Sequence, residues 1–250
     1  MLLKNFDIHM QNLLSIPDFT RIDPGLNGIQ VGDISQPITS IITAVDACQA
    51  SVKAAIEHKA QVLFVHHGIY WQTLPAITGP LFSLLQALFV HNIALYACHL
   101  PLDAHPVHGN NACIATMMHL TATKPFGIFS GESIGIQGSL PNPMSLQDIH
   151  QTYFPQALAT HNARNKPIKT VGIISGGATR ELSQAISAGL DLYITGDANH
   201  LMYHSAQEAG IDFICGGHYA TETLGVKSIS NYCNNELSIK AEFVDIPTGL

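Results

Sequence analysis

Val62-Leu63-Phe64-Val65-His66-His67-Gly68 decides the reading of this chain. Four apolar residues run unbroken into two histidines and a glycine. Such a run, with no polar alternation, fits a strand buried on both faces, as in a parallel sheet. Open α/β sheets place ligands beyond the carboxyl ends of their strands, where His66 and His67 fall. Successive strand side chains point to opposite sides, so one metal could take His66 and another His67. A lone histidine here reads most simply as an ordinary polar strand end. An adjacent pair, with the partners described below, points to metal binding.

Outward from this stretch, strand and helix signals alternate. Residues 38–45 are β-branched and predict a strand, and 46–59 a helix with Val52, Ala55 and Ile56 inward. A helix over 80–91 opens with Pro80, and a strand over 93–98 ends in His99-Leu100-Pro101-Leu102-Asp103. Pro101 predicts that His99 and Asp103 sit in a loop. Gly109-Asn110-Asn111 opens a helix over 112–119. Upstream, residues 1–15 read as an amphipathic helix. Asp23-Pro24-Gly25-Leu26-Asn27-Gly28 carries turn dipeptides. That segment is a plain loop, or it brings Asn27 or Gln30 to the site as hydrogen-bonding groups. Trp71, the only tryptophan, follows the histidines on a loop, as a cover over a substrate or as a hydrophobic plug.

The texture changes near residue 124, which sets expected domains at 1–125 and 126–250. Beyond it come strand-like pieces over 133–138 and a helix over 145–153 with Ser145 as N-cap. A strand over 168–175, a helix over 179–188 and a strand over 190–195 ending in Gly196-Asp197 follow. A helix over 199–209 and a strand over 212–215 lead to Gly216-Gly217-His218. Gly189 and Gly210 suit C′ positions. A helix over 219–234 and a strand over 237–246, able to join either sheet, complete the chain.

Both halves therefore run strand, helix, strand, helix, strand and close on His-x-x-x-acid: His99 with Asp103, and His218 with Glu222. The likeness is of order, with little residue identity. The expected fold is α/β: two topologically similar domains with mixed, parallel-rich sheets whose strand ends face one cleft. At the start of a helix, His218 and Glu222 share one face a turn apart, where Glu222 could bridge two cations. Taken singly, Glu222 is also an ordinary first-turn carboxylate and Asp103 an ordinary turn residue. Five candidate ligands at three strand ends favour the metal reading. Nitrogen and oxygen donors without thiolate suit Zn, Mn, Fe, Ni or Co. Two such ions about 3.5–4 Å apart would activate a bridging water. His99 is a candidate supporting donor or proton shuttle.

Composition agrees with a compact enzyme. Of 250 residues, 46% are hydrophobic and 12% charged, enough for a substantial core. The net charge is −7 and no basic stripe occurs, which argues against direct nucleic-acid binding. Histidine, at 14, outnumbers Lys and Arg together, at 11. The five cysteines are odd in number and lack any C-x-x-C pair, so they read as small buried residues of a reducing compartment. No leader or membrane span is evident, and a cytoplasmic location is expected.

The segments Asn27–Val31, His66-His67-Gly68, His99–Asp103, Gly109-Asn110-Asn111, Thr195-Gly196-Asp197 and Gly217–Glu222 resemble, in order and over nearly the whole chain, the YbgI-like dinuclear metal-centre proteins. That family includes the GTP cyclohydrolase I type 2 homologues and the NGG-interacting-factor-three-like proteins. The resemblance implies two α/β domains, two divalent ions (Zn, Mn, Fe or Ni) between them and a toroidal homohexamer. Carried across, the ligands are His66, His67, Asp103, His218 and Glu222, with Glu222 bridging. Where many relatives have Thr-Gly-Glu, this chain has the shorter acid Asp197. The implied activity is metal-dependent hydrolysis, with metal-bound hydroxide opening the purine ring of GTP or cleaving a related bond in another nucleotide. In that reaction His99 or Asp197 would move protons. The alternative is a metal-handling protein or scaffold without turnover.

Overall fold

In a computed structural model, residues 1–73 and 75–250 are described. In chain order, the helices α1 (Leu3–Leu13) and α2 (Ile16–Phe19) precede β1 (Gly28–Val31) and β2 (Ser40–Asp46). Then come α3 (Gln49–Glu57), β3 (Val62–His67), α4 (Gly79–Val90), β4 (Ala94–Ala97), α5 (Leu100–Ala104) and α6 (Asn110–Met117). A long hairpin, β5 (Thr121–Phe129) and β6 (Glu132–Met144), leads to α7 (Leu146–Tyr153), β7 (Ala159–His161) and β8 (Ile168–Ile173). After a 3-10 turn at Thr179–Glu181 come α8 (Leu182–Ser187), β9 (Leu192–Thr195), α9 (His200–Ala209), β10 (Asp212–Cys215), α10 (His218–Glu236) and β11 (Lys240–Phe243).

The chain forms two compact units, Met1–Leu102 with Gly225–Ile246, and Asp103–Leu224 with Pro247–Leu250. The first has a five-stranded sheet in the order β1-β4-β3-β2-β11. Strands β11, β2, β3 and β4 are mutually parallel, and β1 is an antiparallel edge. In β3, Val62 to His66 are buried, as the apolar run predicts. Ile42, Leu63, Val65 and Leu95 pack with Leu84, Leu85 and Leu88 of α4 in one cluster. The second unit has six strands in the order β5-β6-β8-β9-β10-β7, with β8, β9 and β10 parallel. Its core joins Val171, Ile173, Leu192, Ile194 and Ile214 to Ile114, Ile149 and Phe154. The half-repeat is thus visible within each unit: three parallel strands linked by helices, in sequence order across the sheet.

The structure departs from the sequence reading at identifiable places. The first helix stops early: Ser15 takes φ 51°, and Pro17 lies in the first turn of α2, where its missing N–H costs nothing. Leu100–Ala104 is helical rather than a loop, because Pro101 also falls in a first turn. The division between units comes at Leu102/Asp103, not at 125/126, and groups Asp103 with the second unit. The reason is α6, whose Ile114 and Ala115 pack in the second core. β11 joins the first sheet, parallel to β2. The texture change near 124 lies inside β5, an edge strand that tolerates Pro125. Ser145 does cap α7, its hydroxyl accepting from the Asp148 N–H at 3.0 Å, and Gly189 and Gly210 are left-handed after their helices.

Candidate metal centre

In the first unit the candidate side chains gather at the carboxyl ends of β2, β3 and β4. The β2–β3 register sets Asp46 opposite His67. The His67 Nδ1 lies 2.9 Å from the Asp46 carboxylate, and the buried His66 Nδ1 lies 2.9 Å from the Cys98 carbonyl. His99, just beyond β4, sets its Nδ1 2.8 Å from Asp23. A carbonyl or carboxylate can only accept, so each Nδ1 carries the proton and Nε2 is the basic nitrogen that a metal takes. Although side chains alternate along a strand, the His66 and His67 rings end 4.6 Å apart. His66, His67 and His99 each offer a ligand atom, and these lie within 4.8 Å of one another.

Asp23 organises the loops beneath this cluster. Its carboxylate accepts from the N–H of Gly25 at 2.7 Å, from the Asn27 amide at 2.8 Å and from the N–H of Leu100 at 2.9 Å. Burial opposes the charge, yet the hydrogen bond and charge of His99, with Asn27 and Gly25, hold its pKa below the ordinary carboxylate value. Asn27 accepts from the His99 N–H at 2.7 Å, and Gln30 from the Ile69 N–H at 2.8 Å. Both therefore anchor the loops that carry the histidines. A Cβ at Gly68 would overlap the Gln30 amide and push it from the Ile69 N–H. The Trp71 ring stands edge-on to His99 with centroids 5.0 Å apart, and its N–H donates to the Gly68 carbonyl at 3.1 Å. With 37% of its surface exposed, Trp71 walls the cluster and is not a buried plug.

The second unit repeats the device at the ends of β8, β9 and β10. The His218 Nδ1 is 3.0 Å from Asp197, and its Nε2 is 3.2 Å from Glu222 one turn along α10. The Glu222 hydrogen bond outweighs burial and, with both carboxylate charges, raises the His218 pKa to about 9. Nε2 and Glu222 thus offer a nitrogen and a carboxylate side by side, and a cation bound there would compete with the His218 proton. Glu222 is 3% exposed, and because α10 begins at His218 it lies beyond the first turn. Gly176, at φ 64°, lies so close that a Cβ would overlap Glu222 Oε1. Its carbonyl accepts from the N–H groups of Gly196 and Asp197, and its N–H donates to Thr221 Oγ1 at 3.1 Å.

Asp103, 6% exposed, accepts from the Asn110 amide at 2.9 Å and the Ser175 hydroxyl at 2.8 Å. Asn111 donates to the carbonyls of Asp103 and Ile134 and accepts from the Ser175 N–H at 2.7 Å. Asp23, Asp46, Ser175 and Gly176 escape the sequence reading. Only the Asp23-Pro24-Gly25 turn leaves a trace there, as a turn signal. The donor chemistry fits divalent ions: imidazoles anchored through Nδ1, buried carboxylates, and no thiolate.

Comparison with known proteins gives a family model, Duf34/NIF3 (NGG1p interacting factor 3), matching residues 1–248. A "GTP cyclohydrolase 1 type 2 homolog" of Treponema pallidum (strain Nichols) is 36% identical, with both chains covered in full. Among solved structures, protein ybgI is 29% identical with a TM-score of 0.92, and a Thermus thermophilus protein is 32% identical with a TM-score of 0.91. Both comparisons cover 100% of each chain.

Proposed function

The chain belongs to the Duf34/NIF3 (NGG1p interacting factor 3) family, and from that premise and the donors described above we propose a dinuclear metal-binding protein that acts as a metal-dependent hydrolase. Its ligands are His66, His67, Asp103, His218 and Glu222. Glu222 would be shared, and His66 and His67 would serve different ions. Two divalent ions, Zn, Mn, Fe or Ni, would supply Lewis acidity and a water nucleophilic near neutral pH. The observation that carries the reading is the common anchoring of four imidazoles. His66, His67, His99 and His218 each have Nδ1 against a carbonyl or carboxylate, which leaves Nε2 as the nitrogen that takes a metal or a proton. His99, not a ligand in this reading, passes a proton through Nε2 while Asp23 supports its charge. Asp197 holds the His218 ring and acts on protons only through it.

The substrate class follows from the relatives' name, GTP cyclohydrolase 1 type 2 homolog: a purine nucleotide whose ring or a related bond is hydrolysed. The test is formate release from GTP by metal-loaded protein, beside metal content per chain. About two ions, with formate absent in Glu222→Ala, supports the reading. Two ions with no turnover of GTP or other nucleotides leaves the alternative, a metal-handling protein, which the 35% exposure of the His218 side chain favours. Loss of neither metal nor activity in Glu222→Ala removes the centre itself.

Self-association belongs to the same proposal. α4 turns Phe82, Phe89 and Val90 outward, each more than half exposed, although a surface helix ordinarily presents polar residues there. A homohexamer would cover this face. Among the described residues no helix is long and apolar enough to cross a membrane. The cytoplasmic location we assign rests on the cysteines, of which Cys98, Cys215 and Cys233 are buried as small core residues outside any disulfide.

A further inference from the structure

Within the second unit, the β5–β6 hairpin and the segment 103–106 line a solvent-open pocket of about 520 Å³. Small-molecule pockets typically measure roughly 300–1,000 Å³. Asp103, His105, Asn111, Lys124, Glu132 and Ser133 are among its walls. Asp103 is a ligand in the proposed centre, so a molecule held here would have one end beside that carboxylate. Lys124 and Glu132 carry opposite charges into one cavity, yet among the described residues no ion pair joins them. Such a lining suits a ligand with an anionic group for the ammonium and adjacent N–H donors for the carboxylate. His105 adds a defined polar group. Its Nδ1 accepts from the N–H groups of Val107 at 3.2 Å and His108 at 2.9 Å, so its proton sits on Nε2.

We propose that this cavity is the recognition pocket for a guanine nucleotide, with Lys124 on the phosphates and Glu132 on the adjacent ring and exocyclic N–H groups of the base. The proposal rests on the hydrolase reading, because Asp103 is what joins pocket and centre. It makes Glu132 a specificity-determining residue. Guanine presents two neighbouring donors on one edge, whereas adenine does not, so a carboxylate there separates them.

The experiment is equilibrium dialysis of the full-length, metal-loaded protein against GTP and ATP, with metal content measured on the same samples. Lys124 and Glu132 are exposed, so their variants keep the fold. Lys124→Glu should weaken GTP binding about tenfold or more without loss of metal. Glu132→Ala should abolish the preference for GTP over ATP. Acetylation by an amine-reactive ester, read by mass spectrometry, should show Lys124 protected by GTP while Lys166 is not. The proposal is overturned by unchanged affinity in both variants, by equal Lys124 acetylation with and without GTP, or by failure of the wild type to bind millimolar GTP. Metal content near zero would instead sink the dinuclear reading, and the dialysis would still judge the pocket. Tight binding without turnover would sink the hydrolase and leave the pocket in place.

Discussion

Replacing Gly176 by alanine tests whether Glu222 is held where a metal would need it. Gly176 has φ 64°, and its Cβ would overlap Glu222 Oε1 and lie 3.3 Å from His218 Nε2. Gly210 is a matched control: its φ is 65°, and nothing lies within 4 Å of its Cβ position. Alanine in the left-handed region costs about 1–2 kcal/mol. Its stiffer unfolded chain returns about 0.4–1 kcal/mol. Gly210→Ala should therefore lose about 1 kcal/mol, or about 2–4 °C in Tm for a chain of this size. Gly176→Ala carries the same backbone cost plus about 1–3 kcal/mol of overpacking, for a total of about 2–4 kcal/mol. The overlap also drives the Glu222 carboxylate off its position, so Gly176→Ala should retain clearly less metal than Gly210→Ala. The assay is thermal unfolding of both metal-free variants, followed by elemental analysis after reloading with zinc. Equal Tm losses, with full metal content in Gly176→Ala, would refute both the steric argument and the place given to Glu222.

Three further outcomes follow from the same geometry. In the metal-free protein the His218 ring should titrate near pH 9 by NMR, and Glu222→Gln should bring it down. Because this folded pKa lies above the unfolded value of about 6.5, the contribution to stability is complete below pH 6.5 and disappears as pH rises through 9. Metal-free Tm should thus fall between pH 7 and 9.5, and less so in Glu222→Gln; parallel curves would remove the His218–Glu222 pair as the cause. Ser175→Ala takes a hydroxyl donor from the buried Asp103 carboxylate. It should weaken zinc binding about 10–100-fold in a chelator competition, and an unchanged affinity would make Ser175 irrelevant to the centre. Phe89→Glu puts a charge on the exposed α4 face, where Phe89 is 63% exposed. It should dissociate the proposed homohexamer in analytical ultracentrifugation without lowering monomer Tm, and an intact hexamer would place the interface elsewhere.

Much of the site was legible because strand ends are. The run Val62–Val65 is buried throughout, and it delivers His66 and His67 to the end of a parallel strand. His218 and Glu222 make their contact because four residues are one helical turn. The reading failed where a residue's effect depends on its place within an element. Pro101 ends a helix in its middle but fits a first turn, and the sequence alone did not say which turn it occupies. The boundary near 124 failed for a related reason: a run rich in proline and glycine also suits an edge strand, and β5 is one.

The anchoring of the histidines lies deeper. Asp46 reaches His67 through the β2–β3 register, and Asp23 reaches His99 across 76 residues of chain. Amino-acid types and their periods, acting locally, determined by themselves the alternation of strands and helices, the strand ends and the candidate ligands placed there. Tertiary structure decided which strands pair, which unit receives Asp103 and β11, and which carboxylate fixes each imidazole. Those choices are made by pairing register and loop packing between distant segments, and no local pattern encodes them.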